Sequence, residues 1–301
     1  MTTTPVATSE ALSFTKMHAL GNDYIFFNAA QHPKIELLAP KIANTLCNRN
    51  RGIGGDGIIC VAPVSSNRVR MWMFNADGSE AEMCGNGLRQ LARFAWEEKL
   101  IETTEFCVDT KAGERKVLLQ FNSEGQIISI RANMGAPILT PSLIPVTNMF
   151  QTQNGIASCT VQTPTGTIPL YAVSMGNPHA ICFTSLNSVN IAATGSQLEL
   201  RSDLFPARAN IEFAETINSK LVKIRVWERG SGETQACGTG ACAVVVAGVL
   251  TGRLEKTCNV VLLGGELSIE WHSDGNVFLT GNAQTVFKGV INPALLSAAQ
   301  N

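Results

Sequence analysis

Two stretches of this chain carry the same pattern. Val222 to Gly248, VKIRVWERGSGETQACGTGACAVVVAG, reads as a β-branched strand, a glycine-rich turn, and a cysteine at the mouth of a small-residue helix. Val69 to Ala95, VRMWMFNADGSEAEMCGNGLRQLARFA, aligns with it when Cys84 is set on Cys237. Arg70 then falls on Lys223, Phe74 on Trp227, Glu80 on Glu233, Gly85 on Gly238 and Gly87 on Gly240. Upstream, Leu20-Gly21-Asn22 stands to Cys84 nearly as Met175-Gly176-Asn177 stands to Cys237. A repeat of this period is a domain, not a solenoid turn. It predicts two similar domains facing each other across a cleft, each contributing one thiol.

At 301 residues the chain is long enough for two such domains, each with its own core. The formal net charge is −1 and no Lys/Arg run stands out, so neither nucleic acid nor a membrane surface is expected as a partner. A small zwitterionic ligand fits that balance better. The nine cysteines are odd in number, with no CxxC pair and no zinc-type cysteine–histidine spacing, which points to a reducing compartment. The start, MTTTPVATSEALS, lacks a basic n-region and an apolar h-region, and the longest apolar run, Ala241 to Leu250, is too short to cross a bilayer. A cytoplasmic protein is expected.

Along the chain, residues 1–13 read as a loose leader, and Phe14 to Asn28 as two strands joined at Gly21-Asn22. Leu38, Ile42 and Leu46 have helical spacing within Ile35–Cys47. Strands follow at Ile58–Val61 and Val69–Phe74. After Cys84, Leu88, Leu91, Ala92 and Ala95 form one face of an amphipathic helix. Three more strands lead to the proline-rich stretch Pro137–Pro145, which marks the boundary between lobes 14–135 and 136–283. The second half repeats the order, and its helix after Cys237 is apolar nearly all round, as a helix buried on every side would be. The last strand, within 284–296, is expected to return to the first lobe.

Gly52-Ile53-Gly54-Gly55-Asp56-Gly57 matches G-x-G-x-x-G literally. A dinucleotide fingerprint follows a strand and opens a helix, whereas this loop follows a helix and opens a strand, so it reads as a glycine turn. Seven cysteines, Cys47, Cys60, Cys107, Cys159, Cys182, Cys242 and Cys258, read as small buried hydrophobes. Cys84 and Cys237 differ, because each stands at a helix start with glycines on its C-terminal side. A helix dipole there lowers a thiol pKa. Glycine weakens a helix unless the backbone has to approach something closely. A ligand carboxylate between two helix N-termini would answer both costs.

Two opposed thiols can invert the α-carbon of an amino acid. One thiolate removes the α-proton from one side and the other thiol returns a proton from the other. The charge that grows on the adjacent carboxylate needs strong stabilisation, which the backbone N–H groups of Gly85, Asn86, Gly238 and Thr239 can supply without metal or pyridoxal.

These residues resemble the diaminopimelate epimerases, cofactor-independent two-cysteine isomerases. The resemblance runs from Phe14 to Ile291 and rests on FNADGSEAEMCGNG, ERGSGETQACGTGACA, HALGNDY, GNPH at Gly176–His179, and Asn210-Ile211-Glu212-Phe213. It implies an α/β (α+β) fold of two pseudo-symmetric lobes, each a curled mixed or antiparallel strand layer around a central helix, with the active site in the cleft between them. It implies interconversion of LL- and meso-diaminopimelate in lysine biosynthesis, with Cys84 and Cys237 as the acid/base pair and no cofactor, and it leans to a homodimer. Carried over by position, Asn22, Asn75, Asn177, Asn210, Glu228 and Arg229 would hold the rest of the substrate. Its second amino-acid head calls for a guanidinium and a carboxylate, which Arg229 and Glu228 offer. Strand neighbours point to opposite faces, so both reach one ligand only if the strand ends there, as Gly230-Ser231-Gly232 suggests. His179 either orients a catalytic group or packs beside Pro178.

Two alternatives stay open at this stage. One is an amino-acid racemase on the same scaffold, for histidine for example, lacking the far-end pocket. The other is a thiol redox sensor in which Cys84 and Cys237 form a reversible disulfide.

Overall fold

The computed structural model describes residues 11–81, 84–163 and 166–298. It divides into two units, one of residues 1–130 with 282–301 and the other of residues 131–281. In the first, β1 (Leu12–Ala19) and β2 (Asn22–Asn28) form a hairpin. Its two-residue turn, Leu20-Gly21, has both φ angles positive, the backbone that matches the twist of a tight hairpin. Next come α1 (Ile35–Cys47), β3 (Gly57–Ser65), β4 (Arg68–Asn75), the short β5 (Glu80–Ala81) and α2 (Gly85–Glu97). The strands β6 (Glu105–Thr110) and β7 (Gly113–Phe121) follow, and β8 (Ile127–Gly135) begins in this unit and ends in the second, to which residues 131–135 belong.

The second unit runs through β9 (Phe150–Gln151), β10 (Ala157–Thr163), β11 (Gly166–Ser174), β12 (Pro178–Phe183) and α3 (Ile191–Glu199). It continues with β13 (Asn210–Asn218), β14 (Leu221–Glu228), β15 (Gly232–Thr234), α4 (Gly238–Leu250), β16 (Thr257–Leu262), β17 (Gly265–Trp271) and β18 (Val277–Gly281). Then β19 (Gln284–Ile291) pairs antiparallel with β1, and α5 (Pro293–Ala298) follows it. Leu12 and Ser13, expected in the leader, are strand residues opposite Ile291 and Val290; residues 1–10 lie outside the described residues.

The repeat seen in the sequence is a repeat of topology. In the first unit β1–β2 and β3–β4 are antiparallel pairs, while β2 runs parallel to β3 and β4 parallel to β6. In the second unit β11–β12 and β13–β14 are antiparallel, β12 is parallel to β13 and β14 to β16. Each parallel step needs a crossover, and the helices provide them, α1 and α2 in one unit and α3 and α4 in the other.

Within its own unit, α2 packs on β1, β2, β3, β7 and β19, and α4 on β11, β12, β13, β17 and β18. Valine runs are mediocre helix formers, so GTGACAVVVAGVL owes its helix to burial on every side, not to propensity. Ten of its residues, including Val244, Val245 and Val246, are buried. Helices α1 and α3 pack on other strands of their units, α1 on β3 and β4 and α3 on β13, β14 and β15, over separate apolar clusters.

The glycine loop 52–57 lies between α1 and β3. Its N–H groups cap the end of α1: Ile53 and Gly54 donate to the Leu46 carbonyl, each at 2.9 Å, and Gly55 to that of Cys47 at 3.1 Å. Gly54 has φ +81°, and a side chain at Gly52 would run into the Thr45 carbonyl. Of the seven cysteines expected in the core, Cys107 and Cys159 are only half-buried. Cys107 shares its strand face with Glu105 and Asp109, the less covered one, whereas Cys159 shares the face of buried Ala157 and Val161 and packs against the core of its unit.

Candidate active site

In each unit a cysteine is the residue immediately before the central helix. Cys84 caps α2 with φ −132° and ψ 128°, and Cys237 caps α4 with φ −115° and ψ 108°. Extended backbone at this position turns the first N–H groups of the helix toward the space the thiol faces, and those groups have no intrahelical acceptor. Gly85 and Asn86 open α2, and Gly238 and Thr239 open α4.

Around Cys84, the hairpin turn delivers Asn22, whose Oδ1 accepts from the thiol at 3.6 Å. Asn22 is held from behind. Its Nδ2 donates to Asp56 Oδ2 at 2.6 Å, and Gln90 Nε2 donates to its carbonyl at 3.0 Å. Asp56 also accepts from the Asp23 N–H at 3.0 Å and from Arg49 at 2.9 Å. Burial pushes the Asp56 carboxyl up from its ordinary value. Tyr24, buried behind the same thiol, is pushed well above its ordinary value by burial, with Cys84 and Asp56 adding to the shift. Asn86 is buried and accepts from Arg89 Nη2 at 2.8 Å, while Arg89 Nη1 donates to the Gly85 carbonyl at 3.2 Å. Asn75, at the end of β4, is exposed and donates to Ser79 Oγ at 2.9 Å.

Around Cys237 the nearest groups are polar as well. The Gly240 N–H donates to its sulfur at 3.4 Å and the Thr239 hydroxyl lies at 3.5 Å. His179, buried on β12, has Nδ1 2.6 Å from Glu212 Oε1 and Nε2 3.0 Å from the Asn177 amide oxygen. Both ring nitrogens of His179 thus have side-chain hydrogen-bond partners. Asn210 donates to the Pro178 carbonyl at 3.2 Å and accepts from the Arg229 backbone N–H at 2.9 Å. The strand β14 ends at Glu228, which accepts from the Thr234 hydroxyl, and Arg229 begins the turn, its Nη1 on the Ala207 carbonyl at 3.1 Å. Burial pushes the Cys237 thiol well above its ordinary value, and the Glu228 and Glu212 carboxylates push the same way. The Thr239 hydroxyl and Gly240 N–H oppose them.

Among the described residues one group could hold a metal ion, the buried trio His179, Glu212 and Cys237, with ligand atoms within 4.8 Å of one another. The sequence expectations thus meet as two sets, Asn22 with Cys84 in one unit, and Asn177, His179, Thr239 and Cys237 in the other. Three residues were missed. Asp56 was read only as part of a turn, and Arg89 was given no role. Glu212 had a signal, a carboxylate inside the apolar run ANIEFA on the same strand face as Asn210.

The sequence pattern of the diaminopimelate epimerase family matches residues 14–140 and 171–286. A diaminopimelate epimerase of Bacillus cereus is 42% identical over 287 residues, covering 92% of this chain and 96% of that protein. One from Bacillus anthracis is equally similar over the same extent. Among solved structures, a PhzF-family phenazine biosynthesis protein of Bacillus anthracis superposes with a TM-score of 0.67 at 16% identity, covering 94% of this chain and 99% of that one. A hydroxyproline epimerase from Agrobacterium vitis, solved with trans-4-hydroxy-L-proline, superposes with a TM-score of 0.66 at 14% identity, covering 95% and 94%. At such identities these two structures speak for the fold, while the sequence relatives, alike over nearly their whole length, speak for more: the chain belongs to the diaminopimelate epimerase family.

Proposed function

We propose that this chain is a diaminopimelate epimerase that interconverts the LL and meso forms by proton transfer between Cys84 and Cys237 at one α-carbon, a step in lysine biosynthesis. The observation that carries the reading is the paired cysteine cap, a thiol beside the first N–H groups of a helix, present once in each repeat. Removing an α-proton next to a carboxylate puts a second negative charge on that carboxylate as the bond breaks. The N–H groups of Gly85, Asn86, Gly238 and Thr239 are preorganised donors for it, so their stabilisation grows in the transition state without rearrangement. Burial, with the Glu228 and Glu212 carboxylates, favours the protonated form of Cys237. One thiolate abstracts and one thiol donates, so each turnover leaves their protonation exchanged.

Asn22, Asn75, Asn177 and Asn210 contribute amides for the substrate, and Glu228 with Arg229 receives its far ammonium and carboxylate. His179 assists from beside Asn177. The chemistry asks for no metal or pyridoxal. We place the enzyme in the cytoplasm, where nine cysteines stay reduced, and expect a homodimer. Among the described residues no helix is long and apolar enough to cross a membrane.

The test is conversion of LL-diaminopimelate to the meso form by purified, reduced protein in the presence of a chelator, followed by chiral chromatography. Arg229→Ala is expected to lose at least 100-fold in kcat/KM on diaminopimelate. Equal turnover of L-histidine by the unmodified protein, or full diaminopimelate activity in Arg229→Ala, would move the substrate elsewhere.

A further inference from the structure

Glu212 is wholly buried, on a strand whose neighbouring residues Ile211 and Phe213 are also buried. A carboxylate in such a place is unfavourable unless it is used. One oxygen, Oε1, is 2.6 Å from His179 Nδ1. The same oxygen fills the space over the first turn of α4, where a Cβ built on Gly240 would lie 2.6 Å from it and 3.3 Å from the Cys237 sulfur. The other oxygen, Oε2, is buried without a hydrogen-bond partner among the described residues.

The repeat supplies an internal control. At the same distance before its cysteine, the first unit has Ile59 on β3, and a Cβ on Gly87 would meet its Cδ1 at 3.0 Å, as one on Gly240 meets Glu212. Isoleucine therefore satisfies the packing that this position requires. Tyr24 occupies the place of His179, and Asn75 that of Glu228. The fold needs no charge at either site, and the second unit has carboxylates at both.

The geometry points to Glu212 as a positioning residue: its carboxylate accepts a hydrogen bond from His179 Nδ1, fixes the ring so that Nε2 meets Asn177, and makes the surroundings of Cys237 unlike those of Cys84. The inference rests on Cys237 being one of the two acid/base thiols. The hydrogen bond sets the tautomer, because an imidazole that donates from Nδ1 presents Nε2 to the Asn177 amide. That amide's orientation is assigned from its partners, and turned over it donates to Nε2. The groups bearing on Cys237 are Glu212 from β13, Glu228 from β14, His179 from β12, and Thr239 and the Gly240 N–H from α4. Of these Glu212 alone joins the histidine to the helix start, and its charge adds to burial and to Glu228 in disfavouring a Cys237 thiolate.

The experiment follows the alkylation of each cysteine by iodoacetamide across pH, read by mass spectrometry of the Cys84 and Cys237 peptides. Glu212→Gln, which keeps the shape and removes the charge, is expected to lower the Cys237 midpoint by about one pH unit, a tenfold rise in thiolate at a given pH. The Cys84 midpoint stays in place, and Glu212→Asp, which keeps the charge, leaves the Cys237 midpoint near its original value. The plateau rate reports access, so a merely loosened fold raises the plateau without moving the midpoint, and that outcome overturns the proposal. So does an equal shift at both cysteines. Nitrogen NMR of the unmodified protein gives a second reading that needs no variant to fold: His179 carries its proton on Nδ1, and a ring protonated on Nε2 alone refutes the assignment. Neither measurement needs substrate, so a protein that failed to epimerise diaminopimelate would sink the functional reading and leave this one to its own result.

Discussion

The second glycine of each Cys-Gly-x-Gly start separates the two half-sites energetically. At Gly240 an added Cβ would lie 2.6 Å from Glu212 Oε1 and 3.3 Å from the Cys237 sulfur. The carboxylate has nowhere to go, because its side chain is fully buried and tied to His179 at 2.6 Å. Forced overpacking of this kind costs about 1–3 kcal/mol. Replacing a helical glycine by alanine returns at most about 1 kcal/mol. Gly240→Ala is thus expected to destabilise its unit by about 1–2 kcal/mol, lowering Tm by roughly 2–8 °C. Displacing Glu212 by a fraction of an ångström also moves His179 and the thiol, for which a loss of about 100-fold in kcat/KM is expected. At Gly87 the added Cβ meets only the tip of Ile59, at 3.0 Å, and a methyl group can yield. Gly87→Ala is therefore expected to stay within about 0.5 kcal/mol of the unmodified protein, the propensity gain offsetting the contact. Scanning calorimetry with parallel epimerase assays decides. Equal destabilisation by the two substitutions, or a stable and fully active Gly240→Ala, would refute the claim that a fixed carboxylate occupies that space.

Three further outcomes are expected. Arg89 is wholly buried and donates to Asn86 Oδ1 and the Gly85 carbonyl, so Arg89→Ala should cost about 3 kcal/mol in urea unfolding, more than any exposed arginine. Asn190 caps α3 by accepting from the Ala193 N–H at 3.1 Å, and Asn190→Ala should lower stability by about 1 kcal/mol with kcat/KM unchanged. Cys182 is buried and pushed from 9.0 to about 11, so the folded chain holds that proton more tightly than the unfolded one. Its contribution is whole below about pH 9 and lost as pH rises toward 11. By pH 10 the loss is about 1.4 kcal/mol, and Cys182→Ala should flatten the alkaline limb of a stability profile by that amount.

Much of this arrangement could be read from residue order, for reasons that differ by element. The two cysteine-capped helices were legible because a repeat makes each copy evidence for the other. The helix Ile35–Cys47 was legible from its apolar spacing alone. The two-residue strand Glu80–Ala81 was not, since nothing so short carries a period, and α5 follows the last strand with only a proline to announce it. The site divides the same way. Cys84 and Cys237 cap helices, Asn177 stands in a bend, and Asn22, Asn75 and Asn210 are terminal residues of strands, places that local sequence signals. Glu212 and Arg89 are set by burial against distant parts of their own unit, and burial of a charge is a property of the fold around it; Asp56, partly exposed, is set by its hydrogen bonds to Asn22, Asp23 and Arg49. The glycine of Cys-Gly-x-Gly shows the limit well. Sequence reasoning assigned its close approach to a ligand, whereas at Gly240 the neighbour is a side chain of the protein itself.

The central claim is that one thiolate removes the α-proton and the opposite thiol supplies its replacement. Its most direct test is proton NMR of LL-diaminopimelate in deuterated water with reduced protein. The account predicts deuterium at a single α-position, meso product, no requirement for added cofactor, and loss of both exchange and conversion in Cys84→Ala and in Cys237→Ala. Steady epimerisation surviving in either variant, or exchange that appears only after a metal or pyridoxal phosphate is added, would contradict it.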